Sequence, residues 1–79
     1  MKKFNNRSNF SGELIRSTRK KKKLKKVDVC RELQLMGVDI NPDELYRIES
    51  CKMILKDFEL VALCYVLDID FNDLKKFYD

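Results

Sequence analysis

A chain of 79 residues has room for one domain with a small core. Its 44% apolar content is ordinary for a globular protein, and two Gly and one Pro argue against a turn-rich β fold and for helices. The net charge is +4 and there is no His, which removes the commonest general base and a usual zinc ligand.

The first nine residues, "MKKFNNRSN", are polar and without periodicity, so a mobile arm is expected over 1–9 and one folded domain over 10–79. A basic start with no apolar stretch behind it does not make a signal peptide. No apolar run approaches the roughly 18–20 residues that cross a bilayer, so a cytoplasmic protein with no membrane partner is expected.

"SGELIRSTRKKK", 11–22, predicts a short amphipathic helix. Leu14, Ile15 and Thr18 share one face, while Arg16, Arg19, Lys20 and Lys22 point elsewhere. Ser11 is the expected N-cap, Glu13 lies near the positive end of the helix dipole, and the basic end lies near the carbonyls. This helix belongs to a dense basic block. Residues 1–26 hold 11 Lys/Arg against one acid, and residues 27–79 hold 6 against 12. A segment at about +10 joined to one at about −6 attracts polyanions, nucleic acid first.

Leu24 interrupts the basic run and is expected between elements. A second helix over about 26–36 places Val29, Cys30 and Leu33 on one stripe, and Gly37 suits its left-handed end. "VDI" makes a short extended link. "NPDELYRIES" then opens a third helix, with Asn41 at the N-cap, Pro42 at N1 and Glu44 at N3 in a capping-box pattern. Leu45 and Ile48 form its buried side; Asp43, Tyr46 and Arg47 stay outside. "CKMILK" is a linking loop. "DFELVALCYVL", 57–67, is apolar nearly all round, which predicts the centre of the core or part of an interface. Asp70 is placed to cap a last helix over 71–78. Cys30, Cys51 and Cys64 are widely spaced and lack a CxxC pattern, so they read as reduced structural thiols. No metal, no cofactor and no small-molecule substrate is expected. With no His, no phosphate loop and no clustered acid pair, the chain does not read as an enzyme.

Five short helices, the second and third joined so as to cross, form the layout of a helix-turn-helix domain. At these residues the chain resembles the Cro/CI-type repressors, the Xre family, from about Gly12 to Leu74. The likeness rests on "GELIRSTRKKKKL", "DVCREL", "LYRIE" and "DFELVALCYVLDIDFNDL", in that order. It implies an all-α, compact five-helix bundle of the lambda-repressor-like helix-turn-helix kind. It departs from the pattern in a longer link, "QLMGVDIN", and in Lys25, which stands where a Ser or Thr cap is usual.

The resemblance also implies roles. Arg19 and Glu49 match positions that form an internal ion pair, and Cys30 and Cys64 match small apolar core positions. Base reading falls to the outward side of the third helix: Asn41, Asp43, Tyr46 and Arg47, with Arg47 suited to a guanine edge and Asp43 to a cytosine amine. Lys25, Lys26, Ser50 and Lys52 match phosphate-contacting positions, and the loop at Ser50, Cys51 and Lys52 typically offers backbone amides as well. The implied function is sequence-specific binding of double-stranded DNA by a transcriptional regulator, a repressor acting as a homodimer, with Phe71, Phe77 and Tyr78 as candidates for the dimer surface. Asp43 and Glu44 sit awkwardly on a DNA-facing helix. They motivate an alternative: a helical protein-interaction module on the same fold that has lost base reading.

Overall fold

Helix dominates this chain because its apolar positions recur at helical spacing and Gly and Pro are too few to break the helices. The computed structural model describes residues 8–78, and for 77 and 78 the backbone alone. Among these residues there are five helices and no strand: α1 Gly12–Lys21, α2 Lys26–Leu35, α3 Pro42–Glu49, α4 Asp57–Leu67 and α5 Phe71–Tyr78. None is long and apolar enough to cross a membrane. The protein is an all-α helical domain. α1 packs on α3 and α4, and α2 packs on the same two helices.

The core runs through these contacts. Ile15 of α1, Leu33 of α2, Leu45 and Ile48 of α3, and Leu63 and Leu67 of α4 have no exposed surface. The long link between α2 and α3 adds to the core as well, because Val38 and Ile40 are buried within it. Leu24 is half-buried against the same cluster.

Helix starts follow local chemistry, with one correction. Asn41 Oδ1 accepts from the Glu44 N–H at 2.7 Å, and Glu44 Oε1 accepts from the Asn41 N–H at 3.1 Å. Asp70 Oδ1 accepts from the Asn72 N–H at 2.9 Å. Lys25 has no acceptor with which to cap α2; instead Asp28 reaches back to the Lys25 N–H at 2.9 Å. Glu59 does the same for Lys56 at the start of α4. Ser11, the expected cap of α1, makes no capping bond. Its backbone is already near-helical, with φ −94° and ψ −6°, whereas a capping side chain needs an extended residue beneath it. Asn9 caps α1 in its place, its Oδ1 accepting from the Gly12 N–H at 2.8 Å.

Asn9 also donates to the carbonyls of Ile48 at 3.1 Å and Met53 at 2.8 Å, and the Ser8 N–H donates to the Cys51 carbonyl at 2.8 Å. Two of the nine residues expected in a mobile arm are therefore tied to the loop after α3. Residues 1–7 of that arm lie outside the described residues.

Helix ends share one device. After α1, α2, α3 and α4 the chain takes a left-handed residue: Lys23 (φ 59°), Gly37 (φ 82°), Cys51 (φ 62°) and Asp68 (φ 57°). At each end two amides fold back onto the last turn in a Schellman pattern. For α1, Lys23 donates to Lys20 and Leu24 to Arg19; for α3, Cys51 donates to Ile48 and Lys52 to Arg47.

Candidate nucleic-acid interface

Gly12 brings α1 and α3 into register. A Cβ at this position would lie 2.1 Å from the Ile48 carbonyl oxygen, so only glycine lets the start of α1 meet the end of α3. Two helical turns along α1, Arg19 then faces Glu49. Arg19 Nε donates to Glu49 Oε2 at 2.7 Å and Nη2 donates to Oε1 at 3.0 Å, a two-bond fork. Arg19 Nη1 donates to the Leu24 carbonyl at 2.8 Å. Both residues are buried, at 7% and 3% exposure. The bonds to Glu49 raise the Arg19 pKa above its ordinary value, against an opposing push from burial.

Both partners help line a cleft of about 260 Å³, together with Arg16, Lys20, Lys26, Tyr46 and Ser50. Its one carboxylate, Glu49, is already engaged by Arg19, so the cations of Arg16, Lys20 and Lys26 dominate the field at its mouth. Lys26 Nζ sits 5.9 Å from the centre of the Tyr46 ring, within cation–π range. Cations from α1 and α2 thus converge on the outward face of α3.

The expected site residues divide into groups. Lys26, Tyr46 and Ser50 come together in the cleft. Arg47 is exposed on α3, and its Nη2 lies 3.0 Å from Asp43 Oδ2 in an i,i+4 pair. Asn41 lies at the start of the same helix, but its side-chain Oδ1 is committed to the Glu44 N–H, which leaves its side-chain Nδ2 as the group to meet a base. Lys25 and Lys52 are exposed and do not line the cleft. The expectation that the amides of the loop at 50–52 clamp phosphate fails. The N–H groups of Ser50, Cys51 and Lys52 donate to Tyr46, Ile48 and Arg47 at 2.9, 3.0 and 2.8 Å, because the end of α3 needs them.

The two acids at the start of α3 have local partners. Glu44 completes the capping box and Asp43 holds Arg47. The sequence reads Arg16 and Lys20 as part of a basic block that attracts polyanions, without singling them out from the lysines around them. Their helical spacing of four was the available signal, but only the packing of α1 against α3 shows which cations face the cleft.

The cysteines form no bond with one another. Burial pushes the Cys30 and Cys64 thiols above the ordinary thiol range, with Glu49 and then Glu44 adding to the shift at Cys30. Both stay protonated at neutral pH and pack in the core. No family model, no curated protein and no solved structure matches the chain.

Proposed function

We propose that the protein is a sequence-specific double-stranded DNA-binding regulator of the Cro/CI helix-turn-helix type, acting as a repressor and as a homodimer. The observation that carries this reading is the convergence of Arg16, Lys20 and Lys26 on Tyr46 and Ser50, beside the exposed Arg47. In this reading α2 and α3 are the helix-turn-helix pair. α3 lies in the major groove, and the cleft cations take the flanking phosphate. Arg47 reads a guanine edge through its fork of donors. Asp43 keeps that fork in place and offsets its own charge against Arg47, so the acidic start of α3 does not meet the backbone unpaired. A cationic cleft of this size supplies affinity without sequence information, and specificity rests on the few side chains along α3.

The test is selection from a randomised duplex pool, then a salt titration on the selected sequence. A recovered motif, with log K falling linearly against log [salt], supports the reading, and its half-site spacing gives the dimer geometry. Lys26→Ala weakens all sequences alike and lowers the salt slope by about one unit. Binding without a motif reduces the protein to a non-specific polyanion binder. No binding at low salt overturns the reading and turns attention to protein partners.

A further inference from the structure

The cleft between α1, α2 and α3 carries more positive charge than one DNA backbone phosphate neutralises. Arg16 and Lys20 of α1 and Lys26 of α2 line it, and among the described residues none of the three is paired with a carboxylate. Glu49 is the one acid in its wall, and both Glu49 oxygens already accept from Arg19. Two other acids lie one turn away on the same helices, Glu13 before Arg16 and Asp43 before Tyr46. Neither lines the cleft, and Asp43 holds Arg47. The Arg19–Glu49 pair is neutral as a unit, so the charges of Arg16, Lys20 and Lys26 are left without a counter-charge.

Donors exceed acceptors there too. Arg19 is 7% exposed and uses three of its five N–H groups, two on Glu49 and one on the Leu24 carbonyl. One N–H on each terminal nitrogen remains. The hydroxyls of Tyr46 and Ser50 add two further donors to the wall. At about 260 Å³ the cleft is smaller than the roughly 300–1,000 Å³ of pockets that enclose a whole small-molecule ligand. It is suited to one charged group of a ligand whose remainder stays outside. A DNA backbone phosphate is a diester, with one negative charge and two unesterified oxygens. A phosphomonoester brings about −1.5 to −2 charges at neutral pH and three strong acceptor oxygens. Three cations without partners match the monoester better, in charge and in number of contacts.

We propose that this cleft is a binding site for the terminal phosphate of a small phosphomonoester, with Arg16, Lys20 and Lys26 each meeting one of its oxygens. Arg16 offers a planar fork to two oxygens, and the two lysines act as point charges. The bound monoester occupies the cations that otherwise take the phosphate beside α3, so ligand and duplex exclude one another and the ligand releases the regulator. That consequence rests on the DNA-binding reading above; the binding itself does not.

The experiment is titration calorimetry on the full chain at low salt with adenosine 5′-monophosphate, its 3′,5′-cyclic diester, adenosine and inorganic phosphate. The monoester is expected to bind about tenfold more tightly than the cyclic diester, which has the same base and sugar but one charge. Adenosine is expected not to bind. Affinity for the monoester is expected to fall as pH drops through about 6, where its phosphate takes up a second proton. The chain has no His to titrate over the same range. Arg16→Ala and Lys20→Ala alter exposed side chains, so both variants keep their helicity by circular dichroism, and each is expected to weaken the monoester by about tenfold. Lys75→Ala, on α5 and not in the cleft wall, is expected to change nothing. Inorganic phosphate as tight as the nucleotide supports a site that recognises the phosphate group alone, and weaker binding supports one that also uses the organic part. No binding of the monoester overturns the proposal. So does equal affinity for the monoester, the cyclic diester and adenosine, or indifference to Arg16→Ala and Lys20→Ala. Competition with a duplex recovered by selection separates the two readings. A monoester that binds when no duplex is selected defeats the DNA reading and leaves this site standing. A duplex that binds when no monoester does defeats this proposal alone.

Discussion

Helix α3 carries two arginine–carboxylate pairs one to two turns apart, and they differ in almost everything but chemistry. Glu49 meets Arg19 across 30 residues of chain, buried, through two hydrogen bonds. Asp43 meets Arg47 four residues along the same helix, with side chains 69% and 60% exposed. The buried pair holds α1 to the end of α3 and has no solvent to replace either partner. The exposed pair is surrounded by water and contributes little to folding. Burial therefore assigns the first pair to architecture and leaves the second free for a ligand. A helix anchored at its C-terminal end and solvated at its N-terminal end is suited to present side chains from a rigid base.

The sharpest way to break this contrast is to remove one partner of the buried pair. Glu49→Leu leaves the Arg19 guanidinium buried without its counter-charge, at an expected cost of about 3–5 kcal/mol. In a domain of this size each kcal/mol lowers the melting temperature by roughly 4–8 °C, so thermal melts followed by circular dichroism will show the loss clearly. The double variant Arg19→Met with Glu49→Leu is expected to regain most of it, since apolar side chains need no counter-ion. A double variant as unstable as the single one would mean that the Arg19 bond to Leu24 matters more than the ion pair. The Arg19 proton is not the weak point: its pKa is raised, so the stability linked to that proton is intact below the ordinary arginine value and is lost only in extreme alkali.

The same end of α3 depends on Gly12. Gly12→Ala drives a methyl group into the Ile48 carbonyl, and a backbone atom has little room to yield. Overpacking of this kind costs about 1–3 kcal/mol, read from the same melts. At the solvated end the expected loss is smaller. Asn41→Ala removes the cap of α3 for about 1 kcal/mol, visible as a modest fall in melting temperature.

These residues also show what the sequence made legible. The capping box of α3 spans three residues, so Asn41 and Glu44 declare it within one short stretch. Gly37 declared the end of α2 for the same reason. Lys23, Cys51 and Asp68 adopt the same left-handed conformation without declaring it. An L-residue there costs about 1–2 kcal/mol, which the recovered carbonyl bonds and the half-buried Leu24 or buried Ile69 offset. No local pattern reports such a trade. Asn9 was illegible because its partners lie 39 and 44 residues away. The buried half of α4 was legible from its composition, but which flank remains open was not, since an all-apolar helix has no polar face to mark the outside. Phe71, Phe77 and Tyr78 are the candidates that the sequence offers for a dimer surface. Phe71 does border the exposed face, while the side chains of Phe77 and Tyr78 lie outside those described.

The smallest effect on folding is expected from the exposed pair, and it discriminates best between roles. Asp43→Asn removes a carboxylate whose pairing with Arg47 contributes about 0.3–0.5 kcal/mol to the helix, so the melting temperature should barely move. In the proposed DNA-binding reading, if Asp43 orients Arg47, the variant is expected to lose discrimination at one base position, and Arg47→Ala to lose it at that same position. The two changes are then non-additive, because each removes one half of the same contact. If Asp43 instead reads cytosine by itself, the preference changes at a different position from that affected by Arg47→Ala, and the effects add. If Asp43 only repels phosphate, affinity rises for every sequence and the selected motif stays the same. Selection from a randomised pool with the wild type, both single variants and the double variant separates these outcomes. The 3.0 Å contact favours the first, since a carboxylate already bonded to a guanidinium is poorly placed to accept from a base.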